Sequence, residues 1–148
     1  MKKILFNSVF LLLHCFHNDI SAQNFDLKNY VWHKRVLLVF APNDENKLFK
    51  QQILTVKTDE KGFEDRNLVV ISLFNRSGFD EKDRPVSIQK VEALRRQYKI
   101  SEKEFRAILI GKDGGKKESS AQPFKNQQLF KTIDAMPMRK NEIKTGLE

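Results

Sequence analysis

His14, Cys15, His17 and Asp19 lie close enough together, and are of the right types, to suggest a metal-ligand cluster. The segment around them argues otherwise. Met1-Lys2-Lys3 is basic, Ile4 to Leu13 is apolar apart from Asn7 and Ser8, and Ser21-Ala22-Gln23 supplies small residues. The apolar run is about half of the ~20 residues a membrane-spanning helix needs. The pattern is that of a signal peptide over residues 1–23, cleaved near Ala22 or Gln23, and the four residues belong to processing. Lipid attachment would require a small residue directly before the cysteine, and Cys15 follows His14. Cleavage removes the only cysteine, and His33 becomes the only histidine. No Cys/His zinc site and no Cys–His catalytic pair can then form. The carboxylates do not alternate as in a calcium loop, so no metal or other cofactor is expected.

Four further groups could do chemistry. Pro42-Asn43-Asp44-Glu45 follows an apolar run, where α/β sheets build ligand sites. A plain helix cap by Asn43 or Asp44 is the preferred reading of that loop. Arg106 could project toward it, or stand as a solvated strand-end residue. Gly111 to Lys117 mixes glycines with lysines, yet it misses the P-loop spacing and reads as a hairpin. Arg95-Arg96, Lys116-Lys117 and Arg139-Lys140 could converge on one polyanion-binding face, or scatter as solvated charge. His33, beside Trp32, has no evident catalytic partner, and the adjacent Asp44 and Glu45 make a poor acid–base pair.

These residues depend on a framework that the hydrophobic pattern predicts. Val36 to Phe40 and Leu68 to Phe74 are continuous apolar runs, expected as strands covered on both faces. Between them Leu48, Phe49, Gln52, Ile53 and Val56 mark the inner side of a helix reaching Lys57, and extendable to Gly62. Pro85 suits the first turn of the next helix, with Ile88, Val91, Leu94 and Tyr98 inward and Lys90, Arg95 and Arg96 outward. Arg106 to Ile110 is a third strand, and Asp113-Gly114-Gly115 turns the chain back through Lys116 to Ser119. A last helix from Lys125 to Met136 turns Phe124, Leu129, Phe130 and Ile133 inward and closes at Pro137. The tail is expected to fray.

This order predicts an α/β fold: a thioredoxin-like three-layer sandwich with a mixed sheet of four or five strands and three flanking helices. The sheet should have a parallel core and an antiparallel C-terminal hairpin. The expected organisation is a signal peptide over 1–23, one domain over 24–138 and a polar basic tail over 139–148.

Three stretches carry a family resemblance: Arg35-Val36-Leu37-Leu38-Val39-Phe40-Ala41-Pro42, Leu109-Ile110-Gly111-Lys112-Asp113-Gly114-Gly115, and Ile133-Asp134-Ala135-Met136-Pro137-Met138-Arg139. Together they resemble the exported thioredoxin-like domain of unknown function 4174, which also occurs in animal sushi-repeat and coiled-coil-containing matrix proteins. The resemblance implies a thioredoxin-like or peroxiredoxin-like fold and an extracytoplasmic location, and no established activity. It also implies that Gly111, Lys112, Asp113, Gly114, Gly115, Asp134, Met136 and Pro137 are structural. Laid on a working thioredoxin, the Cys-x-x-Cys positions fall near Glu45 and Leu48, and the cis-proline near Arg106.

With 27 Lys and Arg against 19 Asp and Glu, the formal charge is +8, which favours acidic partners. The leading expectation is an exported, periplasmic or secreted, non-redox module binding a polyanion or an extracytoplasmic protein. Its binding residues would be Pro42, Asn43, Asp44, Glu45 and Arg106, with none catalytic. Nucleic acid is not the expected partner, and no transmembrane segment is expected in the mature chain. The alternatives are a thiol-independent enzyme at the loop after the first strand, and a structural component of an envelope assembly.

Overall fold

The computed structural model describes residues 25–146, so the expected leader, with Cys15 and its neighbours, lies outside the described residues. Arg35–Phe40 (β1) is buried at every position. Such a run must be covered on both faces, and it is. Val36, Leu38 and Phe40 join one apolar cluster with Val91 and Leu94, while Leu37, Val39 and Ala41 join another with Phe124, Leu129 and Ile133. Leu68–Leu73 (β2) lies parallel to β1, from Leu68 opposite Arg35 to Leu73 opposite Phe40. Gly78–Phe79 (β3) is a two-residue antiparallel edge on β2.

Arg106–Ile110 (β4) flanks β1 on its other side in the antiparallel sense, and Lys116–Ser120 (β5) closes the hairpin at the far edge. The order is β3-β2-β1-β4-β5. The parallel core is therefore the single pair β1–β2. Gly114 takes φ +77°, the left-handed conformation that the hairpin turn requires, and a Cβ there would lie 3.2 Å from Val31 Cγ2.

Helices form the outer layers. Lys47–Lys57 (α1), Glu60–Asp65 (α2) and Asn126–Asp134 (α4) supply partners to the cluster around Leu37, while Ile88–Tyr98 (α3) covers the opposite face. Pro137–Thr145 (α5) follows α4. No helix among the described residues is long and apolar enough to cross a membrane.

Several local expectations are corrected. The first helix does not run on to Gly62; Asp59 leaves the helical conformation (φ −153°, ψ 57°) and its carboxylate accepts from the Gly62 N–H, starting α2 afresh. Asn46, rather than Asn43 or Asp44, caps α1, accepting from Leu48 and Phe49 N–H. α3 starts after Ser87, because Pro85 is used in a bridge to Phe79. Ile88 is exposed and Arg95 buried, the reverse of the expected faces. β3 lies within the largely polar stretch between Asn75 and Arg84, where no strand was expected. Pro137 starts a helix rather than ending one, as its fixed φ suits position N1, so the expected fraying tail is helical to Thr145.

Gln52 shows how a polar residue serves the core. It is fully buried, its Oε1 accepts from Phe124 N–H at 2.8 Å, and its Nε2 donates to the Phe124 carbonyl at 3.4 Å. Gln52→Leu would strand both backbone groups in an apolar setting. Its expected cost is about 2 kcal/mol, read as a lower urea midpoint with unchanged slope.

Candidate functional site

The loop after β1 and the loop after β2 leave the sheet side by side. Ala41 N–H continues the ladder to the Leu73 carbonyl at 3.0 Å, Asn75 N–H reaches the Pro42 carbonyl at 3.4 Å, and Phe74 N–H closes a turn on the Ser77 carbonyl at 2.8 Å. Between them lies a depression of about 400 Å³. Pro42, Asn43 and Asp44 line one side; Phe74, Asn75, Arg76, Ser77 and Phe79 line the other. Phe79 is 39% exposed, and Phe74 is packed edge-on against Phe49 at 4.8 Å. Asn75 Oδ1 is buried without a hydrogen-bond partner.

Arg95 steadies this end from below. Its guanidinium donates to the Ala41 carbonyl and to the Ser101 carbonyl, each at 2.7 Å, and sits 5.5 Å from the Phe40 ring centroid. Burial lowers its pKa, and the charges of Glu102 and Glu104 work to raise it.

The expected site is brought together only in part. Pro42, Asn43 and Asp44 line the depression, but Glu45 turns to an exposed pair with Lys50. Arg106 does not line it. Its guanidinium is held by Glu104, with Nε at 2.9 Å, and that bond holds the Glu104 carboxyl below its ordinary range. Phe74, Asn75, Arg76, Ser77 and Phe79 were not among the expected residues. Their only sequence signal is that they follow the second parallel strand, where the same rule that singled out Pro42 to Glu45 applies. The carboxylates with displaced titration, Asp26, Asp80, Glu104, Asp113 and Glu142, all lie elsewhere.

At the opposite end of the sheet the motif residues converge on ions. Arg35 is 1% exposed and donates twice to the Glu142 carboxylate, at 3.1 Å each, and to the Arg66 carbonyl at 2.8 Å. Lys112 Nζ meets the same carboxylate at 2.9 Å. Arg139, 3% exposed, binds Asp65 at 2.6 Å and Asp134 at 3.4 Å, and Arg66 binds Asp134 at 2.7 Å. Asp113 holds Lys117 at 2.6 Å and accepts from Gly115 N–H, closing the hairpin. Gly111 and Gly115 carry its backbone bonds, Gly111 N–H to the Gly115 carbonyl at 2.9 Å. Met136 is the N-cap of α5 and Pro137 its first residue.

The basic pairs do not form one face: Arg95 and Arg139 are buried, and Lys117 is tied to Asp113. His33 is exposed, in the turn after Tyr30.

A family model described as a domain of unknown function, DUF4174, matches residues 26–142. The chain belongs to the DUF4174 family. That span runs from the first turn to Glu142, so it includes the whole sheet and the ion network. Among curated relatives, the coiled-coil domain-containing protein 80 of Danio rerio is 26% identical over 140 residues, covering 83% of this chain and 16% of that protein. The sushi repeat-containing protein SRPX2 of Mus musculus is 24% identical over 125 residues, covering 82% and 27%. This DUF4174 chain thus spans less than a third of either relative. Among solved structures, the reduced 2-Cys peroxiredoxin of Plasmodium vivax superposes with TM-score 0.59 at 15% identity, over 79% of this chain and 85% of that one. Thioredoxin peroxidase I of Plasmodium yoelii gives TM-score 0.59 at 19% identity, over 81% and 80%. The fold is thioredoxin-like, as the resemblance implied.

The ion network gives a pH prediction. Burial works to raise the Glu142 pKa, but hydrogen bonds from Arg35 and Lys112, and their charges, outweigh it and leave the carboxyl below its ordinary value of 4.5. A depressed folded pKa contributes stability that is full above about pH 4.5 and is lost as pH falls through the folded value. Glu142→Gln should unfold more readily at pH 7 and lose less stability on acidification, as followed by thermal melts across pH. Glu142→Ala, which leaves Arg35 buried with its main counter-ion gone, should cost about 3 kcal/mol.

Proposed function

We propose that this domain is an exported, non-redox binding module that engages a protein partner through the depression at the ends of β1 and β2. Export is supported by the basic and apolar opening of the chain and the small residues at 21–23. Absence of thiol chemistry is supported by the sequence: Cys15 is the only cysteine and lies in the expected leader, and a gapless comparison puts a thioredoxin's thiol positions near Glu45 and Leu48.

The observation that carries the reading is the composition of the depression. It offers a half-exposed aromatic, Phe79, with an acidic and a basic group, Asp44 and Arg76. Mixed charge around aromatic surface suits a polypeptide better than a polyanion. The polyanion reading rests on the net charge of +8, and it is weakened because Arg95, Lys117 and Arg139 are engaged internally. The small share of each animal relative that the chain matches fits a module combined with other segments.

Two measurements test this. Insulin reduction and peroxide consumption by the full chain should equal the buffer blank and be unchanged in Cys15→Ser; turnover that vanishes in Cys15→Ser would remove the non-redox reading. Peptides selected from a displayed random library should lose at least about tenfold in affinity for Phe79→Ala or Arg76→Glu, and keep it for a Lys116→Glu, Lys117→Glu double variant. Selected peptides indifferent to Phe79 and Arg76, together with retention on immobilised heparin above physiological salt, would transfer the function to a basic surface.

A further inference from the structure

A second concavity lies at the other end of β1, between the turn Leu27–Tyr30 and α3, with a volume of about 250 Å³. Its walls are apolar: Leu27, Val36, Leu94, Tyr98 and Ile110. Gly111 and Gly114 of the hairpin complete it. Three lysines, Lys28, Lys34 and Lys90, and a single carboxylate, Asp26, also line it. Asp26 is already used. Its carboxylate accepts from the Lys28 backbone N–H at 3.0 Å and pairs with Lys90 Nζ at 3.5 Å. The ammonium groups of Lys28 and Lys34 have no ion-pair partner among the described residues.

An apolar pocket with surplus positive charge discriminates by sign and by tail. A neutral apolar molecule would gain the walls and forgo the lysines, a small hydrophilic anion would do the reverse, and a cation would be repelled. The volume falls below the roughly 300–1,000 Å³ of sites for drug-sized molecules, which limits the tail to a short chain or one ring. Tyr98 adds a phenol hydroxyl with no hydrogen bond to another described residue, a further donor for an acid group.

We propose that this cleft binds a small amphipathic monocarboxylate, with its alkyl or aryl tail on Val36, Leu94, Tyr98 and Ile110 and its carboxylate beside Lys28 and Lys34. The site is separate from the depression at the ends of β1 and β2, and neither requires the other.

Octanoate, below its micelle concentration, is the probe, followed by amide chemical shifts of the full chain at physiological salt. Saturable shifts should centre on Val36, Leu94, Tyr98 and Ile110. Octanol should bind more weakly and acetate not at all, and octyltrimethylammonium should leave these residues unmoved. Lys28→Glu with Lys34→Glu should weaken octanoate about tenfold or more while sparing octanol. Ala93→Trp, at an exposed position on α3 that borders the cleft, should abolish both with the fold intact by circular dichroism. Phe79→Ala and Arg76→Glu should leave octanoate binding unchanged.

The proposal is overturned if octyltrimethylammonium binds as well as octanoate. It also fails if the shifts lie outside the cleft, or if Ala93→Trp has no effect. Cleft residues that ignore every titrant and respond only when the segment before Phe25 is removed would assign the cleft to that segment instead, and equally overturn it.

Discussion

Arg35 opens the central strand with a guanidinium sealed from water, and an ion in that position survives only when counter-charge and acceptors surround it. Glu142 meets two of its N–H groups, and the Arg66 carbonyl meets a third. Glu142 can do so only because α5 continues beyond Pro137, and α5 has little apolar surface of its own. Its one buried residue is Arg139, another ion, fixed in turn by Asp65 and Asp134. One cluster of charges therefore joins the start of β1, the end of α2, the hairpin after β4 and the end of α4. Truncating Glu142 would leave the buried Arg35 without its carboxylate, and shared partners such as Asp134 and Glu142 couple the members of the cluster.

The ion cluster commits the hairpin and α5 to structure, and the opposite end of the sheet carries a concave surface of its own. The carboxyl ends of β1 and β2 are parallel, and their loops diverge from adjacent strands to leave a depression between them. A third buried arginine, Arg95, clamps the Ala41 carbonyl, so the loop that follows is anchored where it leaves the sheet. Loops carried on a rigid scaffold are a common arrangement for recognition. The amphipathic cleft lies toward the start of β1, on the α3 side of the sheet, between the short turn at Leu27–Tyr30 and the helix.

The scaffold is shared with peroxiredoxins, whose names declare thiol chemistry, yet the likeness to them extends only to the path of the chain. A fold supplies a platform, and chemistry depends on the residues placed there. Here the loop after the first core strand carries Asn43, Asp44 and Glu45, and the cap of the following helix is an asparagine whose side chain already satisfies the leading N–H groups. An anion at that helix terminus would have to compete with Asn46 for the Leu48 and Phe49 N–H groups. Aromatic and amide residues of the neighbouring loop line the depression instead.

The amino-acid sequence alone determined the strand positions at Val36, Leu68 and Arg106, the hairpin at Asp113 to Gly115, and the scarcity of thiols and histidines. Each is either a count or a pattern a few residues long, set by side-chain branching, by glycine's freedom at positive φ, or by burial on both faces of a strand. It also placed Gln52 on the inner side of its helix. The fate of the ions was settled by packing. Arg95 and Arg139 look like surface charge in any periodicity count, because a hydrophobic pattern scores a guanidinium as solvent-facing wherever its partners are. Those partners lie far away along the chain: Arg35 and Glu142 are 107 positions apart, and Arg95 and Ala41 are 54 apart. The energy of a buried charge depends on what the fold brings beside it, and no local stretch of sequence contains that term.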